Sequence, residues 1–152
     1  MRLLLGLSIL LALYPLACHA ESCANGVPAN GETVELSGIF HSEVIWGPPN
    51  FGEEPRTDSQ FVAWFIALKE PLVVRGRVEV GGQYYSNVSE IKLSSDFTAY
   101  KDKLLEPLIG KLVVVTGKLW RGTVEGDVTP IVIAAKTVTP TDQNICRVTP
   151  GN

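Results

Sequence analysis

The chain has few of the residues on which many enzymes and nucleic-acid-binding proteins depend. Its 152 residues include two histidines and three cysteines, and 13 basic residues stand against 16 acidic ones. Proteins that bind nucleic acid usually carry a basic stripe, and none is visible here. No CxxC pair, Cys and His cluster or Gly-x-Ser-x-Gly sequence occurs either, which argues against structural zinc and a serine hydrolase. We therefore expect no nucleic-acid partner, no cofactor and no bound metal.

Long apolar runs are also scarce, apart from one at the N-terminus. Arg2 precedes an apolar stretch that ends in small residues before Ala20, the pattern of a signal peptide. A membrane helix needs about 20 apolar residues, so this stretch is too short to span a bilayer. We predict a signal peptide over residues 1–20, cleavage after Ala20, and a periplasmic or secreted protein without a membrane span. Lipidation of Cys18 is the less favoured alternative, because Pro15 stands where a lipoprotein signal has leucine.

Cleavage would leave 132 residues (152 minus 20), a normal size for one domain. Two cysteines then remain, Cys23 and Cys146, one near each end. In an oxidising compartment two such thiols are expected to pair, and closing so long a loop stabilises by roughly 4–5 kcal/mol on the chain-entropy model. Two unrelated free thiols are the alternative. Loss of Arg2 leaves 12 basic and 16 acidic residues, a net charge near −4.

Strand patterns account for most of the predicted domain. Val34, Leu36 and Gly38 alternate along residues 33–46, which predicts a long half-buried strand that bends at the glycine. A loop rich in proline and glycine follows at residues 47–59. The apolar run at 61–68 predicts a strand buried on both faces and ended by residues 69–71. Further strands are predicted at residues 72–80, 88–93, 111–120 and 131–138.

One helix is predicted over residues 95–110. Ser95 or Asp96 can cap it, and Gly110 can end it. Its apolar face has helical spacing and consists of Phe97, Tyr100, Leu104 and Leu108. The order of elements predicts an all-β fold with one helix, a small five- to six-stranded OB-like Greek-key barrel. Another small β-sandwich or a partly open barrel is the alternative. The barrel would span residues 32–140, between an N-terminal tail (21–31) and a C-terminal tail (141–152) tied back by the disulfide.

Several segments resemble a bacterial family of exported domains of unknown function. The most specific is Gly47-Pro48-Pro49-Asn50-Phe51-Gly52, accompanied by residues 89–93, 108–117 and 129–130. The resemblance covers residues 34–138 and implies export and fold but no activity. Family members commonly carry a histidine run before the last Thr-Pro, where this chain has residues 124–128 without histidine. A metal or acid–base role of those histidines therefore does not carry over.

In an OB-type barrel, the ligand-binding face is rimmed by the loop after the first strand and the loop before the last. These are residues 46–60 and 121–130 here, and we expect them to meet at one end. The predicted ligand-binding residues are Trp46, Asn50, Phe51, Arg56, Trp120, Arg121, Glu125 and Asp127. The alternative for the Gly-Pro-Pro-Asn segment is a purely structural role as a stiff turn. Trp64, among apolar neighbours, is expected in the core.

No set of catalytic residues is predicted. His41 is the one histidine outside the signal peptide, and a lone histidine is usually a surface residue. The leading hypothesis is a non-enzymatic binding module of the cell envelope, whose partner is a protein or a small polar ligand. Its more specific form is an inhibitor or immunity-type protein for an envelope-acting enzyme. The alternative is a divalent-metal-binding or hydrolytic protein that uses acidic residues at the barrel mouth: Glu53, Glu54, Asp58, Glu125 and Asp127.

Overall fold

Most of the described chain is β-strand. The computed structural model describes residue 23 and residues 26–29, 32–76, 84–94, 102–122 and 128–149. A short helix α1 (Asp102–Leu105) and a 3₁₀ turn (Glu106–Leu108) lie between the fourth and fifth strands. The prediction of a mainly β fold with one helix is confirmed. In chain order the strands of the described part are β1 Val27–Ala29, β2 Thr33–Trp46, β3 Gln60–Gly76, β4 Tyr84–Leu93, β5 Leu112–Arg121, β6 Ile131–Pro140 and β7 Cys146–Thr149.

Five of the strands form a closed ring. Strand β2 pairs with β5 along its first half and with β3 along its second, both antiparallel. Strand β3 continues to β4, β4 pairs in parallel with β6, and β6 returns antiparallel to β5. The ring order is therefore β2-β3-β4-β6-β5, back to β2. Strands β1 and β7 extend the sheet at β3 and β2.

Gly38 lies where β2 changes partner. It pairs with Leu68 of β3 on one side and with Val113 of β5 on the other. A Cβ atom at this position would lie 2.6 Å from the carbonyl oxygen of Ala67, so the close approach of the two strands requires a glycine. The predicted alternation of Val34, Leu36 and Gly38 on one face is confirmed, since all three are buried.

Strand β3 does not end at residues 69–71, and that prediction was wrong. It runs without interruption through Pro71. The reason is a register shift, because Ala67 pairs with Glu90 whereas Leu72 already pairs with Val88. Pro71 lies in this irregular part of the ladder, and a bulge is one of the places where a strand tolerates a proline that cannot donate a hydrogen bond.

The interior of the ring holds the main hydrophobic core. Its members alternate along the strands, and among them Phe40 stacks on Trp64 with ring centroids 5.3 Å apart. Trp64 is thus a core residue, as predicted. A second, smaller cluster of Ile45, Ala63 and Phe65 lies apart from that core. These three alternate with the core residues of β2 and β3, so they face the outside of the ring.

Both predicted tails contain a strand that the sequence pattern did not predict. Strand β1 pairs with the end of β3, and β7 pairs with the start of β2. The predicted disulfide joins Cys23 to Cys146. Arg147 of β7 also donates to Glu35 of β2, with a distance of 2.7 Å between Nη1 and Oε2. Each tail is therefore held against the ring by backbone pairing as well as by the disulfide.

The predicted helix is only partly covered by the described residues. Its expected caps and the aromatic residues Phe97 and Tyr100 lie outside them. In α1 Leu105 is buried, while Leu104 is 72% exposed. Leu104 was predicted to share an apolar helix face with Leu108. That prediction was wrong, because the α-helix ends at Leu105 and a 3₁₀ turn that contains Pro107 follows, so the helical spacing does not continue to Leu108.

Candidate functional site

The loop between β2 and β3, residues 47–59, is held together by the carboxylate of Asp58. Its Oδ1 accepts from the backbone N–H of Asn50 at 2.8 Å. Its Oδ2 accepts from the N–H groups of Gly52 and Glu54, at 2.7 and 3.2 Å. Desolvation raises the pKa of Asp58, but these hydrogen bonds together outweigh it and hold the pKa below the ordinary value of 3.8. The carboxylate therefore ties together the backbone of residues 50–54.

Asn50, Phe51 and Trp46 all contribute to this fixed loop. The amide nitrogen of Asn50 donates to Oδ1 of Asp58 at 3.2 Å and is 3.4 Å from Oγ1 of Thr57. Phe51 has a φ of 52° and Gly52 a φ of 103°, and a Cβ on Gly52 would lie 3.0 Å from the indole ring of Trp46. The asparagine amide is thus used inside the loop, while Trp46 packs against the loop backbone.

The other predicted ligand-binding residues lie in two places. Arg56 is exposed in the same loop, and Arg121 is exposed at the end of β5. Trp120, also at the end of β5, is 50% exposed. Glu125 and Asp127 lie outside the described residues, so the predicted meeting of the two loops stays a prediction.

The strand ladder connects Trp120 with the outside of β2. Trp120 pairs with Val132, and Val132 pairs with Lys92. Lys92 pairs with Phe65, and Phe65 pairs with His41. Directly paired residues point to the same side of a sheet, so these five side chains form one row around the outside of the ring. We call the part of the outside that β2, β3 and β4 contribute the outer surface.

His41 occupies the centre of the outer surface, between two carboxylates. Its ring stacks on the buried ring of Phe65, with centroids 5.3 Å apart. Its Nε2 lies 3.0 Å from Oε1 of Glu90, and its Nδ1 lies 3.9 Å from Oε1 of Glu43. The sequence alone indicated an isolated surface residue. The spacing of His41 and Glu43 on alternate positions of one strand was a usable signal, but Glu90 enters through the register of β3 and β4.

The acidic residues of the alternative hypothesis are not gathered into one site within the described chain. Glu53 and Glu54 are exposed, and both oxygens of Asp58 accept hydrogen bonds from the loop backbone. A metal ion at Asp58 would have to compete with these N–H donors. The alternative therefore depends on Glu125 and Asp127, outside the described residues.

A cavity of about 410 Å³ lies beside the disulfide, away from the outer surface. It is lined by the irregular part of β3, by Ser37 and by residues 144–146. Ser37 donates to Oδ1 of Asn144 at 3.0 Å and accepts from the N–H of Ile145 at 2.7 Å. Ser37 thus links β2 to the segment before β7, as expected for a structural contact.

Comparison of the chain with models of known protein families, with curated proteins and with solved structures found no match. The resemblance to the exported bacterial domains stays a prediction. Within the described ranges, no helix combines the length and the apolar character needed to cross a membrane.

Proposed function

We propose that the chain is an OB-type barrel and serves as a non-enzymatic binding module of the bacterial cell envelope. Two features support the barrel type. The helical segment lies between the third and fourth strands of the ring, as in OB folds. The row that starts at Trp120 reaches β2 at His41. In the direct β5–β2 pairing, Thr33 already lies beside Lys118, so that register carried on by two residues would leave Trp120 about ten positions away from His41. This difference is the stagger with which the ring closes, and it suits a small, strongly tilted barrel.

The binding role is carried by one observation: in the loop over residues 47–59, next to the outer surface, three backbone N–H groups donate to the carboxylate of Asp58. A loop fixed before binding loses little conformational entropy when a partner docks, which favours affinity. Phe61 and Ile39, on the outward-facing positions of β3 and β2, are 39% and 45% exposed. The loop over residues 47–59 and the partly apolar strands β2 and β3 together offer a surface for a protein or a small polar ligand.

Export to the envelope is supported by the signal-peptide pattern and by the disulfide. A bond between Cys23 and Cys146 persists in an oxidising compartment, which the periplasm and the exterior provide. Lipidation at Cys18 is the alternative form of attachment, and it would leave the binding surface unchanged.

The charge of the surface favours a basic partner. Glu43 is exposed on β2, and in the adjoining loop Glu53 and Glu54 are exposed and outnumber the opposite charge of Arg56. Like charges on one side of a small protein steer oppositely charged partners towards it. This supports the more specific hypothesis, an inhibitor or immunity-type protein that blocks a basic envelope-acting enzyme.

The test is affinity capture from an envelope extract, followed by surface plasmon resonance with the captured partner. We expect the Glu43→Lys/Glu53→Lys variant to associate at least about tenfold more slowly, because charges at the rim act mainly on the association rate. The matched control is Asp142→Lys, an exposed carboxylate in the turn between β6 and β7, which should bind like the wild type. Equal rates for all three proteins, or no retained partner, would refute the proposed surface.

A further inference from the structure

The cluster of His41, Glu43 and Glu90 has the composition of a metal site. Each residue offers one ligand atom, and the three atoms lie within 4.8 Å of one another. In a tetrahedral zinc site with bonds near 2.1 Å, ligand atoms are about 3.4 Å apart. Glu43, with a side chain 55% exposed, is free to close the remaining gap by rotating. The imidazole nitrogen distinguishes this set from the all-oxygen sites of Ca²⁺ and Mg²⁺.

The contact between His41 and Glu90 has the distance of an ion pair but not the geometry of a hydrogen bond. The Nε2 atom is closed off from solvent, and among the described residues it has no hydrogen bond of acceptable geometry. Nevertheless, Oε1 of Glu90 lies only 3.0 Å away. A buried polar nitrogen without a hydrogen bond is costly and needs an explanation. Two ligand atoms that lie this close without a hydrogen bond between them are arranged as they would be around a shared cation.

The scaffold holds these donors in place. His41 stacks flat on Phe65, with an angle of 19° between the rings, and Phe65 is fully buried. Glu90 reaches His41 across β3, where its direct partner is Ala67. Strands two places apart are about 9.6 Å from each other, so a small residue at position 67 leaves the space that the glutamate side chain needs. Imidazole and carboxylate are thus positioned by separate, well-packed strands.

We propose that His41, Glu43 and Glu90 bind one divalent transition-metal ion of the zinc class on the outer surface. Three protein ligands leave at least one coordination position open. Glu43 is the most exposed of the three side chains, so a group of a bound ligand can complete the coordination sphere from its side. The proposal concerns the metal alone. It shares Glu43 with the surface proposed above, and titration with zinc in the absence of any partner tests it separately.

The test is isothermal titration calorimetry of the purified protein, produced without a histidine tag, with ZnCl₂ and in parallel with MgCl₂ and CaCl₂. We expect one Zn²⁺ per chain and no comparable heat from the other two ions. Removing a ligand should weaken zinc binding at least about tenfold in His41→Gln and in Glu90→Gln. Because His41→Gln also removes the stack on Phe65, Glu43→Gln is the third variant. It alters an exposed side chain and should weaken binding while the circular dichroism spectrum stays unchanged.

A matched control accompanies these variants. Glu70→Gln replaces an exposed carboxylate elsewhere on β3 and should bind zinc like the wild type. The proposal is overturned if zinc produces no binding heat. It is equally overturned if binding survives His41→Gln and Glu90→Gln, or if Glu70→Gln abolishes it.

Discussion

The close contact at Gly38 gives a test of how the ring is closed. In Gly38→Ala the new methyl group would lie 2.6 Å from the carbonyl oxygen of Ala67 and 3.1 Å from Cβ of Ile66. The oxygen belongs to the backbone of β3, whose ladder with β2 runs from Gly38 to Trp46. It cannot move away without disturbing the pairing on both sides, so the strands must separate locally.

The expected cost follows from two opposing effects. Overpacking a well-packed site typically costs about 1–3 kcal/mol. Replacing glycine by alanine also reduces the entropy of the unfolded chain, which returns about 0.4–1 kcal/mol. We therefore expect Gly38→Ala to lower the free energy of unfolding by about 1–2 kcal/mol, which corresponds to a fall in Tm of about 2–8 °C for a domain of this size.

The assay is urea unfolding with the disulfide intact, followed by tryptophan fluorescence because Trp64 is buried in the core. The control is Gly110→Asn, at a glycine with a φ of 76° where an added Cβ would meet no atom within 4 Å. Asparagine tolerates this backbone conformation, so the control should stay within about 0.5 kcal/mol of the wild type. A Gly38→Ala protein as stable as this control would contradict the close approach of β2 and β3.

Three further predictions concern the loop, the core and the disulfide. Asp58→Asn should speed amide exchange at Asn50, Gly52 and Glu54. In the wild type the ionised Asp58, whose pKa is lowered, stabilises the loop above pH 3.8, and this stabilisation is lost as the pH falls through the folded-state pKa. Equal exchange rates in the wild type and the variant at neutral pH would refute this role. Trp64→Ala should lower the free energy of unfolding in urea by about 3–5 kcal/mol, since it removes the ring that stacks on Phe40 and leaves a cavity. A decrease below about 1 kcal/mol would place Trp64 outside the core. Replacing both cysteines by serine should cost up to about 4–5 kcal/mol, because the bond spans 123 positions, and an unchanged denaturation midpoint in non-reducing buffer would show that the bond does not form.

Local patterns predicted most of the ring but not its irregular parts. Alternation was sufficient for β2, because one face of that strand is buried and the other is partly open. It failed at Pro71, where a bulge lets β3 continue through a residue that normally ends a strand. It also failed for β1 and β7, whose three and four residues are too short to carry a periodic signal.

Local composition also indicated one part of the candidate site, the loop over residues 47–59. The unusual composition of residues 47–59 marked a loop of special conformation, although the role of Asp58 as its hydrogen-bond acceptor was not foreseen. A loop acceptor of this kind depends on three backbone N–H groups turning inward together. No spacing of residue types encodes that arrangement.

By itself the sequence determined the fold class, the long bent first strand, the central loop and the pairing of two distant cysteines, because each leaves a local or compositional mark. Only the tertiary structure decided which outward-facing residues become neighbours. His41 and Glu90 are far apart in the chain and meet because both strands pair with β3 in one register. A shift of a single residue in either ladder would turn one of these side chains to the other face.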